Sequence, residues 1–564
     1  MDEASTKIEA YRVDHLPIVR HYAEKIGLVD VINRLVPSEM DVKPGVVILG
    51  MVLDTLSGRS PLYRLENFLE SQDTELLFGH PIDPSDFNDD AVGRVLDKVF
   101  ETGTIKIFSE LATRALLVFG IDKSGKVHVH YDTTSISVWG DYDFDGSEDN
   151  QPPFIITHGH SKDHRPDLKQ FLISLLCVDK NIPIFGKIED GNTSDKTANN
   201  AILTNISKRM ADVGLKAGAC IYIADSAMIT EDNLKAIGDD LLFISRLPAT
   251  YNECGRVIAE AVKNDSWDEV GSIAQTKPTA HRPATQYKVY ETEVVLYGKT
   301  YRAVVVHSSA HDQRRQKRID RQLEKERHAL EAKCTQMEKG EYFCRPDAEA
   351  AAEELRKMST ECYQVQVSVE ERPRYKRGRP NKEGIREINE MRYGLRATVE
   401  EKTEAVSTKR QEAGCFVLVS NISKEREVAY DKARSILEAY KEQHGIEQNF
   451  GFLKDPVIVN DLFLKKPERI EALGLVLLIA LLIWRLMERS LRQYTESGDN
   501  PLIGWNNRPT VRPTSFMMIT KFVGITVIKI ADQRRLQRPL SEAQKGYLTA
   551  LGVKTCVFTG YTDG

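Results

Sequence analysis

Over the first 120 positions, apolar residues recur at spacings of three and four. Ile18 to Ile26, Val46 to Leu56, Pro61 to Leu69, Asp90 to Phe100 and Ile105 to Leu117 all follow this rhythm, which predicts amphipathic helices. Pro37, Pro44, Gly58 and the Pro81–Pro84 turn separate them. From about residue 126 the period falls to two. Val127-His-Val-His-Tyr131 alternates in β-forming residues and predicts a strand ending at Asp132, with Ile136 to Trp139 as a second strand. Phe171 to Val178 predicts a third. Cys220 to Ala224, ending at Asp225, predicts a fourth, and Leu241 to Ser245 a fifth. Helical segments at Ala198 to Val213 and Glu231 to Ile237 lie between them. Strands with interposed helices predict a mixed α/β sheet.

Between about 250 and 410 the pattern changes again. Gln286 to Val295 and Thr300 to His307 predict a hairpin turning at Gly298, and His311 to Lys339 and Asp347 to Met358 predict charged helices without sustained heptads. A strand, Gly414 to Val419, follows. A helix over Ala433 to Lys454 then places Tyr440, Glu447 and Lys454 seven residues apart, on nearly one stripe. A solvated helix face in an acidic chain has the same pattern, so the stripe gains meaning only from partners elsewhere. Ala472 to Trp484 is uncharged and almost wholly apolar, but its 13 residues fall short of the roughly 18 that span a bilayer. It predicts a helix buried on all sides.

The 564 residues carry 77 basic against 83 acidic side chains, a net charge of −6, so any nucleic-acid binding must come from local patches. Eight scattered cysteines with no C-x-x-C pair argue against zinc ribbons and disulfide frameworks and fit a reducing, cytoplasmic setting. The first residues have neither a basic nor an apolar region of the signal-peptide kind.

Two basic stretches qualify as patches. His158 to Lys169 is a polar loop, either a phosphate-contacting one with Lys162 and Arg165 on DNA or a plain solvated one, zinc being weakly supported by its histidine spacing. Arg372 to Lys382 carries six basic residues and no acid. Its Arg377-Gly-Arg-Pro380 core has the form of an AT-hook, with Arg377 and Arg379 along a narrow minor groove and Lys376 a flanking DNA contact, while a disordered basic linker has the same composition. The Asp141 to Gly146 loop imitates the start of an EF-hand, but Pro152 stands where the bidentate Glu is needed, so an acidic hairpin tip is expected.

Asp132 and Asp225 each close a predicted strand, where ligands of open α/β sheets collect. Glu447 comes much later, and the 251–410 region reads as an insertion between them. Three converging carboxylates would hold Mg²⁺, and two such ions can activate a nucleophile and stabilise a leaving oxygen.

The order strand-Asp132-Thr-Thr-Ser135, strand-Ala224-Asp225-Ser226, insertion, strand and helix with Glu447 resembles the DDE transposases of bacterial insertion sequences. Tyr440-x₂-Gln443-x₃-Glu447-x₆-Lys454 is similar to the Y-R-E-K signature of the subgroup with a β-rich insertion. Gln443 replaces the usual Arg and can donate a hydrogen bond without charge. The resemblance covers roughly 126–490. It implies an RNase H-like mixed sheet flanked by helices and interrupted by an α+β insertion. It also implies Asp132, Asp225 and Glu447 as catalytic metal ligands for Mg²⁺ or Mn²⁺, two ions, with Tyr440, Gln443 and Lys454 on DNA.

The implied activity is cut-and-paste transposition by a homodimer in a synaptic complex on double-stranded DNA, both terminal inverted repeats and target. The setting would be the bacterial cytoplasm near the nucleoid, with no membrane partner. The expected domains are a helical 1–120 for DNA binding or dimerisation, a catalytic domain split as 126–250 and 411–495, an insertion at 251–410, and a tail at 496–564. A related nuclease without strand transfer, and an inactive DNA-binding descendant, share most of these features.

Overall fold

The chain enters through a short strand, β1 (Ile8–Arg12), and then winds through seven helices: α1 (Leu16–Lys25), α2 (Leu28–Leu35), α3 (Pro44–Ser57), α4 (Leu65–Glu70), α5 (Thr74–Phe78), α6 (Asp89–Thr102) and α7 (Thr104–Phe119). The computed structural model describes residues 8–57, 64–121, 127–140, 142, 152–212, 220–238, 241–273, 283–378, 384, 386–424, 428–455, 464–498 and 500–560. The acidic tip at 143–146 and Arg379 of the basic segment lie outside them. Side-chain caps start several of these helices: Asp73 accepts from the Leu76 N–H and Asn88 from the Ala91 N–H.

Five strands follow: β2 (Val127–Val138), β3 (Lys169–Val178), β4 (Ile182–Glu189), β5 (Cys220–Ala224) and β6 (Leu242–Arg246). Their order is β4-β3-β2-β5-β6. The β2–β3 and β3–β4 pairs are antiparallel, whereas β2–β5 and β5–β6 are parallel. The predicted break after Asp132 is absent, and β2 runs unbroken because β3 pairs with it as far as Val138. Helix α8 (Asp195–Asp212) and helix α9 (Glu231–Ile237) make the crossovers to β5 and β6. Strand β3 is buried at every position from Gln170 to Val178, as a strand covered on both faces must be.

Residues Arg246–Glu438 form a second compact unit. It contains α10 (Asn252–Asn264), β7 (Asp268–Gly271), the hairpin β8 (Tyr287–Leu296) and β9 (Lys299–Ser308), α11 (Ser309–Glu338), α12 (Arg345–Lys357), β10 (Tyr363–Tyr375), β11 (Ile388–Glu401), α13 (Thr403–Ala413) and β12 (Cys415–Ser420). The last strand pairs antiparallel with β9, from Cys415 opposite His307 to Ser420 opposite Arg302. Strands β10 and β11 make a long two-stranded arm, and the side of it that packs on α11 and α12 shares a small core with Leu323, Leu330, Ala352 and Leu355.

Helix α14 (Ala433–Lys441) returns the chain to the first unit at Ala439, and α15 (His444–Leu453) and α16 (Pro467–Gly498) follow. Helix α16 is the apolar segment anticipated from the sequence, now 32 residues long. Of its most apolar stretch, 89% is buried in the protein, against α1, α3, α6, α7 and β4. A side chain at Gly186 of β4 would stand 2.5 Å from a Leu478 methyl of α16, so glycine there allows the close approach. Each fully buried Leu or Ile along α16 contributes roughly 1.5–3 kcal/mol. The last segment pairs with the first, as Thr526–Ile530 lies antiparallel to β1.

Candidate active site

In the parallel β2–β5 pair, Val127 stands opposite Cys220 and His130 opposite Ile223. Carried two residues further, that register sets Asp132 level with Asp225, on neighbouring strands roughly 4.8 Å apart. Asp132 thus lies inside its strand rather than at its end, at the height where β5 stops. Asp225 then caps a short 3₁₀ turn, Ser226–Met228. Its Oδ1 accepts from the Ala227 N–H at 3.0 Å, and its carbonyl accepts from the Ser245 hydroxyl at 2.7 Å.

A third carboxylate joins them from α8. Asp195, the first residue of that helix, accepts a 2.5 Å hydrogen bond from the Thr133 hydroxyl. Lys162 points inward among the three. Its ammonium is 3.1 Å from Asp195 and 3.8 Å from Asp132, and it donates to the Thr133 carbonyl and hydroxyl at 2.8 and 2.7 Å. The site is therefore a carboxylate cluster around one cation. Burial pushes the Asp132 carboxyl up to about 7; Lys162 opposes this, and Asp225 and Asp195 add to it by repulsion. The Asp225 carboxyl is raised as well, by burial first and then Asp195, against the Ala227 N–H and Lys162. Oxygen donors held partly neutral in this way fit a hard divalent cation, which would relieve the repulsion that raises them.

Glu447 stands on α15, which packs beside β2. Its exposed carboxylate pairs with His444 Nδ1 at 2.9 Å, and among the described residues no contact joins it to Asp132 or Asp225. The continuous helix expected over Ala433 to Lys454 is also corrected: it breaks between Lys441 and His444. There the hydrogen bonds tighten, with the Glu442, Gln443 and Gly445 N–H groups donating to Ala439, Tyr440 and Glu442. Gly445 presses on the turn between β3 and β4, where a Cβ would come 2.2 Å from the Lys180 carbonyl oxygen.

Tyr440 therefore ends one helix, Gln443 caps the next, and the heptad projection does not carry across the joint. Lys454 caps the C-terminus of α15 and is held by Asp163 at 2.5 Å, in the same loop as Lys162. A buried network fixes α15: Asn449 donates to the Asn181 carbonyl at 2.9 Å and accepts from Arg485 of α16 at 2.7 Å.

The other predicted DNA contacts are dispersed. Arg165 pairs with Asp167 at 2.6 Å and lies over the exposed Trp139 ring. Lys376 pairs with Glu387 at 2.8 Å, beyond the end of the β10–β11 arm, and Arg377 beside it is exposed.

Sequence reasoning missed a second cluster next to Asp132. His128 and His130 share its face of β2. Glu442, in the joint between α14 and α15, places Oε2 2.5 Å from His128 Nδ1 and 3.8 Å from His130 Nε2. Burial alone would raise the Glu442 carboxyl, but the two imidazoles hold it at about 2. Burial lowers His130, which is fully enclosed. The signal was present as His-x-His in an alternating strand, hidden because alternation alone explained it. Asp195 was missed as well, since it opens a helix far from either strand in sequence.

Residues 8–113, from β1 into α7, match a family described as a domain of unknown function, DUF4277. No curated protein matches the chain.

Proposed function

We propose that this chain is a DDE-type transposase whose catalytic sheet is RNase H-like. The observation that carries the reading is the register that sets Asp132 of β2 level with Asp225 at the end of the parallel β5, within the strand run β4-β3-β2-β5-β6. The whole Arg246–Glu438 unit comes between that sheet and the helix bearing Glu447, and this arrangement supports the same reading. Asp132 and Asp225 would hold Mg²⁺ or Mn²⁺, with Glu447 as third ligand and Asp195 supporting through Thr133. The bound ions supply Lewis-acid activation of water or a 3′-hydroxyl.

The chain's own groups bind and orient. Lys162 neutralises the carboxylates and, drawn toward a phosphate, can release them to metal. Lys454 offers a point charge beside the same loop. Tyr440 and Gln443 offer hydrogen bonds near the joint, and the basic arm around Arg377 and Arg379 offers groove contacts. The partners are terminal-repeat and target DNA, engaged by a homodimer.

Cleavage and joining assays on oligonucleotide pairs carrying the inverted repeats that flank the reading frame test this. Asp132→Ala, Asp225→Ala and Glu447→Ala should each abolish Mg²⁺-dependent cleavage and leave DNA binding nearly intact. Mg²⁺-dependent cleavage retained in any variant removes that residue from the site. Cleavage without joining would identify a nuclease instead.

A further inference from the structure

His128 and His130 occupy alternate positions of β2, and Glu442 reaches them from 314 residues further along the chain. One ligand atom from each lies within 4.8 Å of the other two. His130 is completely buried, yet among the described residues neither ring nitrogen has a hydrogen-bond partner. Its 3.8 Å separation from the Glu442 carboxylate is too long for one. An orphaned buried imidazole is costly, and buried polar groups in folded proteins are almost always satisfied. A simple His128–Glu442 ion pair accounts for one imidazole and leaves the other unexplained.

A metal ion accounts for both. Zn²⁺ takes imidazole nitrogen and carboxylate oxygen at about 2.0–2.2 Å, so tetrahedral donors lie roughly 3.4 Å apart. The 2.5 and 3.8 Å separations of the Glu442 carboxylate from the two imidazoles bracket that spacing. The donor set also separates this cluster from its neighbour. Asp132, Asp195 and Asp225 offer only hard oxygens, suited to Mg²⁺, whereas two imidazoles favour a softer transition metal.

We propose that His128, His130 and Glu442 bind one divalent transition-metal ion, zinc by its donor set, which clamps the α14–α15 joint to β2. The fourth position is left to water. The clamp sits where its effect is greatest. Glu442 lies within the tightened turn between the helices, five residues before Glu447, and His130 is two residues before Asp132. The ion therefore fixes the angle at which α15 leaves the sheet. Its role is positional, and the site stands whatever reaction the carboxylates perform.

The test uses the full-length chain stripped with a chelator, then titrated with Co²⁺ in excess Mg²⁺, so that oxygen-only sites are filled. A four-coordinate nitrogen–oxygen site gives Co²⁺ an intense visible band, and six-coordinate oxygen sites give a faint one. One equivalent of intense band is expected, abolished by equimolar Zn²⁺. His128→Gln, at a partly exposed position that spares the core, and Glu442→Gln should each weaken Co²⁺ binding roughly tenfold or more. Asp225→Asn should leave the band unchanged. The absence of an intense band in the wild-type chain overturns the proposal. So does a band that survives in both Gln variants, which circular dichroism would show to be folded.

Discussion

Replacing Asp132 with Asn should remove a pH-dependent weakness from the metal-free protein. The carboxyl is raised from its ordinary 3.8 to about 7, by burial first and then by Asp225 and Asp195 against Lys162. A group that holds its proton more tightly when folded stabilises the fold at low pH. That contribution is complete below about pH 4 and is lost as the pH rises toward 7. The shift corresponds to roughly 4 kcal/mol at most. Because 22% of the side chain is exposed and solvent screens the charge, about 2 kcal/mol is the working figure.

Asn keeps the shape and can accept the same 2.7 Å bond from the Thr133 N–H, but has nothing to ionise. Thermal unfolding of both proteins in chelator, at steps from pH 5 to 8, reads this group together with the Asp225, Asp195 and Lys162 charges coupled to it, since titrations elsewhere cancel in the difference. The variant should gain on the wild type by about 1 kcal/mol across that range, the rest of the change falling between pH 4 and 5, and should level above pH 7. Adding Mg²⁺ at pH 8 should close the gap by stabilising the wild type alone. Parallel profiles, or a gap of the opposite sign, would refute the assignment of a buried, mutually repelling carboxylate pair.

Arg485→Met should cost about 3 kcal/mol, because it leaves the buried Glu488 with Arg492 and the Ser515 N–H and deprives Asn449 of its donor; chemical denaturation measures it, and a loss below 1 kcal/mol would show that the network does not hold α15. Replacing Arg377 and Arg379 with Ala should weaken DNA binding and flatten its salt dependence by about one unit of log–log slope for each phosphate no longer neutralised. An unchanged slope would make the segment a linker.

Much of the fold was legible because its signals are local. The three-and-four rhythm gave the N-terminal helices, alternation gave the sheet strands, and a wholly apolar run gave α16. What escaped was set by distant neighbours. The break before His444 depends on the Lys180 carbonyl beneath Gly445, which no reading of 433–454 can contain. The β10–β11 arm was missed although Tyr363, Val365, Val367 and Val369 alternate with polar residues, because the charged stretch that follows them carries no such period. In the site, Asp132 and Asp225 were legible as acids in strand contexts. Their level placement came from the parallel register, and Asp195 and Glu442 arrived through helix starts and joints whose positions only packing fixes.

The burial of α16 has a consequence for the order in which this protein can form. The first unit is built from Met1–Ser245 and Ala439–Gly564, and α16 supplies the centre of its apolar packing. A ribosome making the chain from its N-terminus must add roughly 250 more residues after Ser245 before Gly498 emerges. At about 5–20 residues per second this takes roughly 10–50 s. The Arg246–Glu438 unit is complete well before then and can fold while the first part waits. Through that interval α3, α6 and β4 lack the helix that covers them, a window for chaperone capture or aggregation. A nascent chain stopped before Pro467 would hold Asp132 and Asp225 but not the core that makes them a site.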